Sequence, residues 1–346
     1  MNRKSFLQQA GMALAAATAA PSILYAQQKK KTQTQSKGLI IPPYLKKGDV
    51  IGITSPAGYI LEKDIQSAVQ QIETWGFKTE VGKTIGTRDG SLGGTDADRL
   101  ADFQYMLDNK NIKAILCARG GYGVVRIIDG IDFSNLRRHP KWIIGFSDIT
   151  VFHCHINHNY NVATIHSKMC NSFPDDWSKA DETQLKTIQS IQQVLSGEKM
   201  SYNAVFNPNN RLGKATGALV GGNLRTMENL AGTKSDIDVT GKILFVEDVS
   251  EPLYNIDRMF WSLKRTGKLK NISALVVGGF SVKPETNPDD TFSRDLYAIV
   301  NEKVKEYKYP VCFDFPVGHQ RNNYALKCGI RHKLEVTEVA TTLSQL

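Results

Sequence analysis

Short apolar runs alternate with amphipathic stretches along the first half of the chain. Val50–Thr54, Lys78–Val81, Ala114–Cys117, Lys141–Ile144 and Val162–Ile165 read as strands bounded by polar or glycine-bearing turns. Between the first two, Leu61–Trp75 places Ile65, Val69, Ile72 and Trp75 near one face of a helix. Arg88–Gly94 is polar and glycine-rich, hence a loop. Thr95-Asp96-Ala97-Asp98 then opens a helix with a capping-box-like start, and Leu100, Phe103 and Leu107 form its buried stripe. Shorter helices are predicted from Gly123 to about Ile128 and over Ile149–Ile156. Strand–helix alternation at this spacing implies right-handed crossovers and a parallel sheet. Ligands of such sheets sit beyond the carboxyl ends of the strands.

The pattern changes near residue 167. Ser167–Leu212 is polar apart from a helix over Asp181–Leu195 and reads as a connection between domains. Ala215–Val220, Lys242–Val246, Ile272–Val277, Val311–Phe313 and Lys333–Val336 read as strands, with helices near 257–264 and 293–307. The expected architecture is α/β: a doubly wound, mostly parallel sheet over 39–166 and a smaller mixed, β-rich domain over 213–346.

Composition alters the picture mainly at the amino terminus. Arg3 and Lys4 precede an alanine-rich apolar run, Phe6–Ala20, and Leu24-Tyr25-Ala26 offers a cleavage site, so 1–26 reads as an export signal and 27–38 as a polar linker. The run Asn2–Leu7 is similar to a twin-arginine signal with Arg-Lys in place of Arg-Arg, which points to the periplasm; an uncleaved anchor is the alternative. The net charge is +9, but Arg3, Lys4, Lys29, Lys30, Lys31 and Lys37 lie ahead of residue 39, where there is no acid, leaving +3 for the folded part. That is no footprint for nucleic acid. The five cysteines show no close pairing; one disulfide is compatible with export, and the spacing does not identify it.

Candidate chemistry centres on Gly145-Phe146-Ser147-Asp148. A strand, a sharp turn bearing one serine and a following helix is the layout of a nucleophile elbow, although Ile149 replaces the second glycine of Gly-x-Ser-x-Gly. On pattern alone, Ser147 or Asp148 reads equally as a helix cap. Arg119-Gly120-Gly121-Tyr122-Gly123 lies at a neighbouring strand end; it lacks the lysine of a Walker loop, and exposed backbone N–H groups suit an oxyanion. A serine nucleophile needs a base and an orienting carboxylate. Of the seven histidines, His319 stands out because it follows Gly318 in a polar turn past a strand end, against His139, His153, His155, His158, His166 and His332. Glu247 stands at the end of an apolar strand, as a functional carboxylate, a cap or a surface charge. His153-Cys154-His155-x-x-His158 invites a zinc reading, but 153 and 155 point to different helix faces, and 155 and 158, which could share one, have no matching ligand set nearby; no metal or other cofactor is expected. His166-Ser167-Lys168-Met169 either lines the cleft or ends a strand.

These ordered motifs, together with Gly221-Gly222-Asn223-Leu224 and Pro252–Met259, resemble the LD-carboxypeptidases from about Val50 to Val336. That family of serine peptidases removes the terminal D-alanine from muropeptide tetrapeptides, and it includes the microcin C immunity peptidases. The resemblance implies a Ser147, Glu247, His319 triad and an oxyanion hole from the backbone of Gly121 and Asp148. It also implies a peptidoglycan-derived peptide as substrate and a homodimer. The cleft candidates Arg119, Gly120 and His166 would contact substrate, with Arg119 as a cation for the terminal carboxylate. The usual His-Gly-Pro-Met of the family reads His166-Ser167-Lys168-Met169 here. Two other readings stand beside this one: an immunity-type peptidase acting on a peptidyl- or aminoacyl-nucleotide, for which Trp177 is the lone aromatic hint, and a non-catalytic envelope peptide-binding protein.

Overall fold

The structure, a computed structural model, describes residues 38–284 and 291–346. The predicted export signal and all but the last residue of the linker lie outside the described residues. In the first half the strands are β1 (Val50–Thr54), β2 (Lys78–Val81), β3 (Ile112–Cys117), β4 (Trp142–Gly145) and β5 (Thr164–His166). The second half carries β6 (Ser201–Val205), β7 (Gly213–Asn223), β8 (Ile243–Glu251), β9 (Ala274–Val282), β10 (Val311–Cys312), β11 (Leu326–Cys328), β12 (Arg331–Val336) and β13 (Ala340–Gln345).

Two sheets result. The first has the order β11-β5-β4-β3-β1-β2 and is parallel except for β11, which runs antiparallel to β5. β1, β3, β4 and β5 are largely buried on both faces because helices cover both, whereas the edge strand β2 is polar and partly exposed. Ile115 and Cys117 of β3 face the helix Asp96–Asp108 with Phe103 and Met106, whereas Ala114 and Leu116 share the other face with Ala68 and Ile72 of the helix Gln66–Thr74. Thr95 caps the helix Asp96–Asp108 as read from sequence: its Oγ1 accepts from Asp98 N–H at 3.2 Å, and the Asp98 carboxylate accepts from Thr95 N–H at 3.0 Å.

The second sheet is mixed, in the order β10-β9-β8-β7-β12-β13-β6; the first four strands are parallel and the rest antiparallel. Its strands were harder to read. β6 falls inside the stretch taken as a connection, and its outward positions are exposed, so the run lacks an apolar signature. β13 follows the strand expected to close the chain. β11 leaves the second half altogether and extends the first sheet. The buried core is shared: Phe152 and Ile156 of the helix Thr150–Tyr160 belong to the same apolar cluster as Val220, Leu244 and Val246 of the second sheet.

Candidate active site

β4 delivers the chain to Gly145, and the turn that follows is strained. Ser147 has φ +62°, in the left-handed region that a side chain adopts at a cost of about 1–3 kcal/mol. The strain turns the serine away from the strand, and the helix Thr150–Tyr160 follows within three residues. Strand, strained serine and helix make the elbow. Thr150, fully buried at the helix start, accepts a 2.9 Å bond from Asn223 N–H and so fastens the elbow to the end of β7.

The glycine loop that follows β3 runs against this serine. A Cβ added to Gly120 would lie 3.0 Å from the Ser147 Cβ and 3.2 Å from its Oγ, tight contacts that would push the serine by a few tenths of an ångström. Gly121 has φ +104°. The Asp148 carboxylate accepts from Val124 N–H at 2.8 Å, tying the far end of the loop to the elbow. Burial pushes the Asp148 carboxyl up to about 6, against the pull of backbone N–H donors and Arg99. Arg99 itself was not read as functional. Fully buried, it donates to the carbonyls of Pro56 at 2.7 Å, Gly123 at 2.9 Å and Gly94 at 3.2 Å, and pairs with Asp96. One guanidinium therefore pins three loops at this edge of the sheet. An arginine on the buried face of this helix, beside Phe103 and Met106, was the available signal.

The second sheet brings the acid and the histidine. β8 continues past Val246 to Glu251, so Glu247 lies within the strand and not at its end. The register against β9 shifts between Val246 and Asp248, a bulge that re-aims the carboxylate. Glu247 is fully buried. Its Oε2 accepts from His319 Nδ1 at 2.5 Å and from the His319 backbone N–H at 3.1 Å. Since a carboxylate only accepts, Nδ1 carries the proton and Nε2 is left basic. Gly318 makes room for this pair, with φ +100°; a Cβ there would stand 2.3 Å from the Glu247 Cβ. Its N–H donates to Asn323 Oδ1 at 2.8 Å, a support that the polar run after His319 did not single out. The His319 ring lies 4.8 Å from the Phe146 ring, which immediately precedes Ser147.

Ser147 thus lies against Gly120, and His319 lies beside Phe146 and on Glu247. Arg119 stands at the exposed rim, donating to the Tyr59 carbonyl at 2.8 Å. His166 lies behind Phe146, closed from solvent between that ring and Phe245 and held neutral by burial. The His153 ring is taken up by Thr164 Oγ1 and the Gly145 carbonyl, both at 2.9 Å, and His155 by Ser235 at 2.8 Å. Among the described residues no group of three His, Cys, Asp or Glu is placed to hold a metal. All five cysteines are buried and unpaired.

Residues 51–167 match the LD-carboxypeptidase N-terminal domain, and residues 216–334 match the LD-carboxypeptidase C-terminal domain. The chain belongs to the LD-carboxypeptidase family. A probable murein peptide carboxypeptidase of Bacillus subtilis is 34% identical over 299 residues, spanning 86% of this chain and 92% of the relative. The murein tetrapeptide carboxypeptidase of Pseudomonas aeruginosa is 28% identical over 82% of this chain and 92% of its own length. The crystal structure of muramoyltetrapeptide carboxypeptidase from Oxalobacter formigenes superposes with a TM-score of 0.76 at 27% identity, covering 86% of this chain and 98% of that one. In this LD-carboxypeptidase family member, Ser147 falls within the first matched span, and Glu247 and His319 fall within the second.

Proposed function

We propose that the protein is a serine L,D-carboxypeptidase that releases a C-terminal D-alanine from muropeptide tetrapeptides. The observation that carries the reading is the 2.5 Å Glu247–His319 pair set beside a serine in a strained elbow. Ser147 attacks the carbonyl before the terminal residue, and His319 Nε2 takes the serine proton and returns it to the leaving amine. Glu247 holds the tautomer and stabilises the imidazolium. The N–H groups of Asp148 and Gly121 receive the oxyanion, an interaction whose loss typically costs about 3 kcal/mol. Water then hydrolyses the acyl-enzyme. The charged start and apolar run before residue 27 support action in the periplasm, on peptides of the wall.

The structure gives the nucleotide-conjugate reading no support from its sequence hint. The Trp177 indole donates to Ser67 Oγ at 3.0 Å and packs against Phe173. The direct test is incubation of the purified protein with a defined tetrapeptide, with mass analysis of products. Tripeptide plus D-alanine is expected from the wild type and none from Ser147→Ala. Equal turnover by the variant would overturn the mechanism.

A further inference from the structure

The segment that leaves β5 forms a wall of the elbow. Ser167 N–H donates to the Gly145 carbonyl at 3.1 Å, and Asn171 N–H to the Ala118 carbonyl at 3.3 Å. From this wall Lys168 reaches across the site. Its Nζ lies 5.4 Å from the centre of the Phe146 ring and donates to the Gln320 carbonyl at 2.8 Å. The ammonium therefore bridges the residue before Ser147 and the residue after His319. It is half-buried, and burial lowers its affinity for the proton while the Glu247 carboxylate works the other way. Among the described residues, no carboxylate oxygen lies within the 4.0 Å of an ion pair. Lys168 also lines a cavity of about 310 Å³ together with Ser172, Gln184, Thr187 and Arg321. A partly desolvated cation with a single carbonyl partner, at the edge of a cavity, has capacity left for an anion.

Geometry fixes which anion of a peptide would reach it. In a C-terminal residue the carboxylate carbon is about 2.5 Å from the amide nitrogen, one Cα away. His319 must reach that nitrogen to protonate it, so the terminal carboxylate has to sit beside the imidazole. Lys168 stands on that side, bonded to the residue next to His319. Arg119 stands on the side of the glycine loop and is exposed, so solvent screens its charge more than that of half-buried Lys168.

We propose that Lys168 receives the free carboxylate of the substrate's C-terminal residue and so strengthens this enzyme's preference for a free C-terminus. The inference rests on the carboxypeptidase reading above, and its test separates the two. A tetrapeptide with a free C-terminus and the same peptide as its C-terminal amide are titrated calorimetrically into Ser147→Ala, and D-alanine release is followed in the wild type. The acid should bind about 10- to 100-fold more tightly than the amide, the usual gain of a hydrogen bond to a charged group. That preference should fall to less than about 3-fold when Lys168→Gln is added, a change that keeps a donor for the Gln320 carbonyl and removes the charge. Lys168→Arg should retain most of it, and Lys168→Met is read in place of Lys168→Gln if the latter does not fold. An undiminished preference in Lys168→Gln or Lys168→Met overturns the role of Lys168 and leaves the carboxypeptidase reading standing. If neither peptide binds and the wild type releases no D-alanine, both fall.

Discussion

Gly318→Ala puts the acid–histidine pair to a direct test, because a single methyl group would enter the space that the pair occupies. The new Cβ would lie 2.3 Å from the Glu247 Cβ, 2.6 Å from Cγ and 2.7 Å from Oε2. The closest of these falls short of an ordinary van der Waals separation by more than about 1 Å. Glu247 has no solvent to retreat into, and Gly318 is anchored by its bond to Asn323. Relief therefore comes from moving the carboxylate, and a shift of that size stretches the 2.5 Å bond to His319 beyond hydrogen-bonding range. A displacement of about 1 Å near the chemistry costs on the order of 100-fold, and loss of the correct tautomer on the order of 10⁴-fold. The expected loss in kcat/KM lies between these, with kcat carrying it. Stability should fall by about 2–5 kcal/mol, from alanine at positive φ and from overpacking. The control is Gly267→Ala: φ there is +77°, yet a Cβ would meet nothing within 4 Å. It bears the backbone cost without touching the site, so it should melt early and keep its activity. D-alanine release and chemical denaturation of the three proteins decide the matter. Gly318→Ala turning over within about 3-fold of wild type would refute the claim that the Glu247–His319 bond positions the base.

Two further outcomes follow from buried polar groups. Thr150→Val keeps the shape but leaves the buried Asn223 N–H without its 2.9 Å acceptor, so stability should drop by about 1–3 kcal/mol. A urea midpoint that shifts with an unchanged slope would show it, and no shift would refute it. His332 is buried, and desolvation depresses its pKa to about 4. A depressed histidine contributes stability above its unfolded pKa near 6.5 that is lost as pH falls through the window to about 4, roughly 3 kcal/mol in all. His332→Asn should therefore flatten the decline in stability between those pH values, and an unaltered slope in denaturation experiments would count against the buried neutral imidazole.

Much of the site was legible because strained turns leave marks in sequence. Gly145-Phe146-Ser147 follows an apolar strand directly, and Gly318-His319 stands in the polar turn beyond another. The parallel sheet of β1 to β5 was legible from the alternation of strands and helices, and its inner strands β1, β3 and β4 are largely apolar runs because both their faces are covered. What escaped depends on contacts between distant segments. The bulge at Glu247 arises from pairing with β9, which no local pattern records. β6 alternates buried and exposed positions without an apolar run, so it looked like linker. Arg99 carries no motif, and its task is visible only once residues 56, 94 and 123 converge on it.

β11 carries a consequence for cutting the molecule. This three-residue strand comes from the later part of the chain yet completes the earlier sheet, covering β5. A fragment ending near residue 167 would bear the serine but expose a naked strand edge, and such edges invite self-association. The remaining fragment would hold Glu247 and His319 without Ser147. On the proposed mechanism each piece is silent alone and hydrolysis returns only on reunion, which makes a severed version of this chain a natural sensor of proximity.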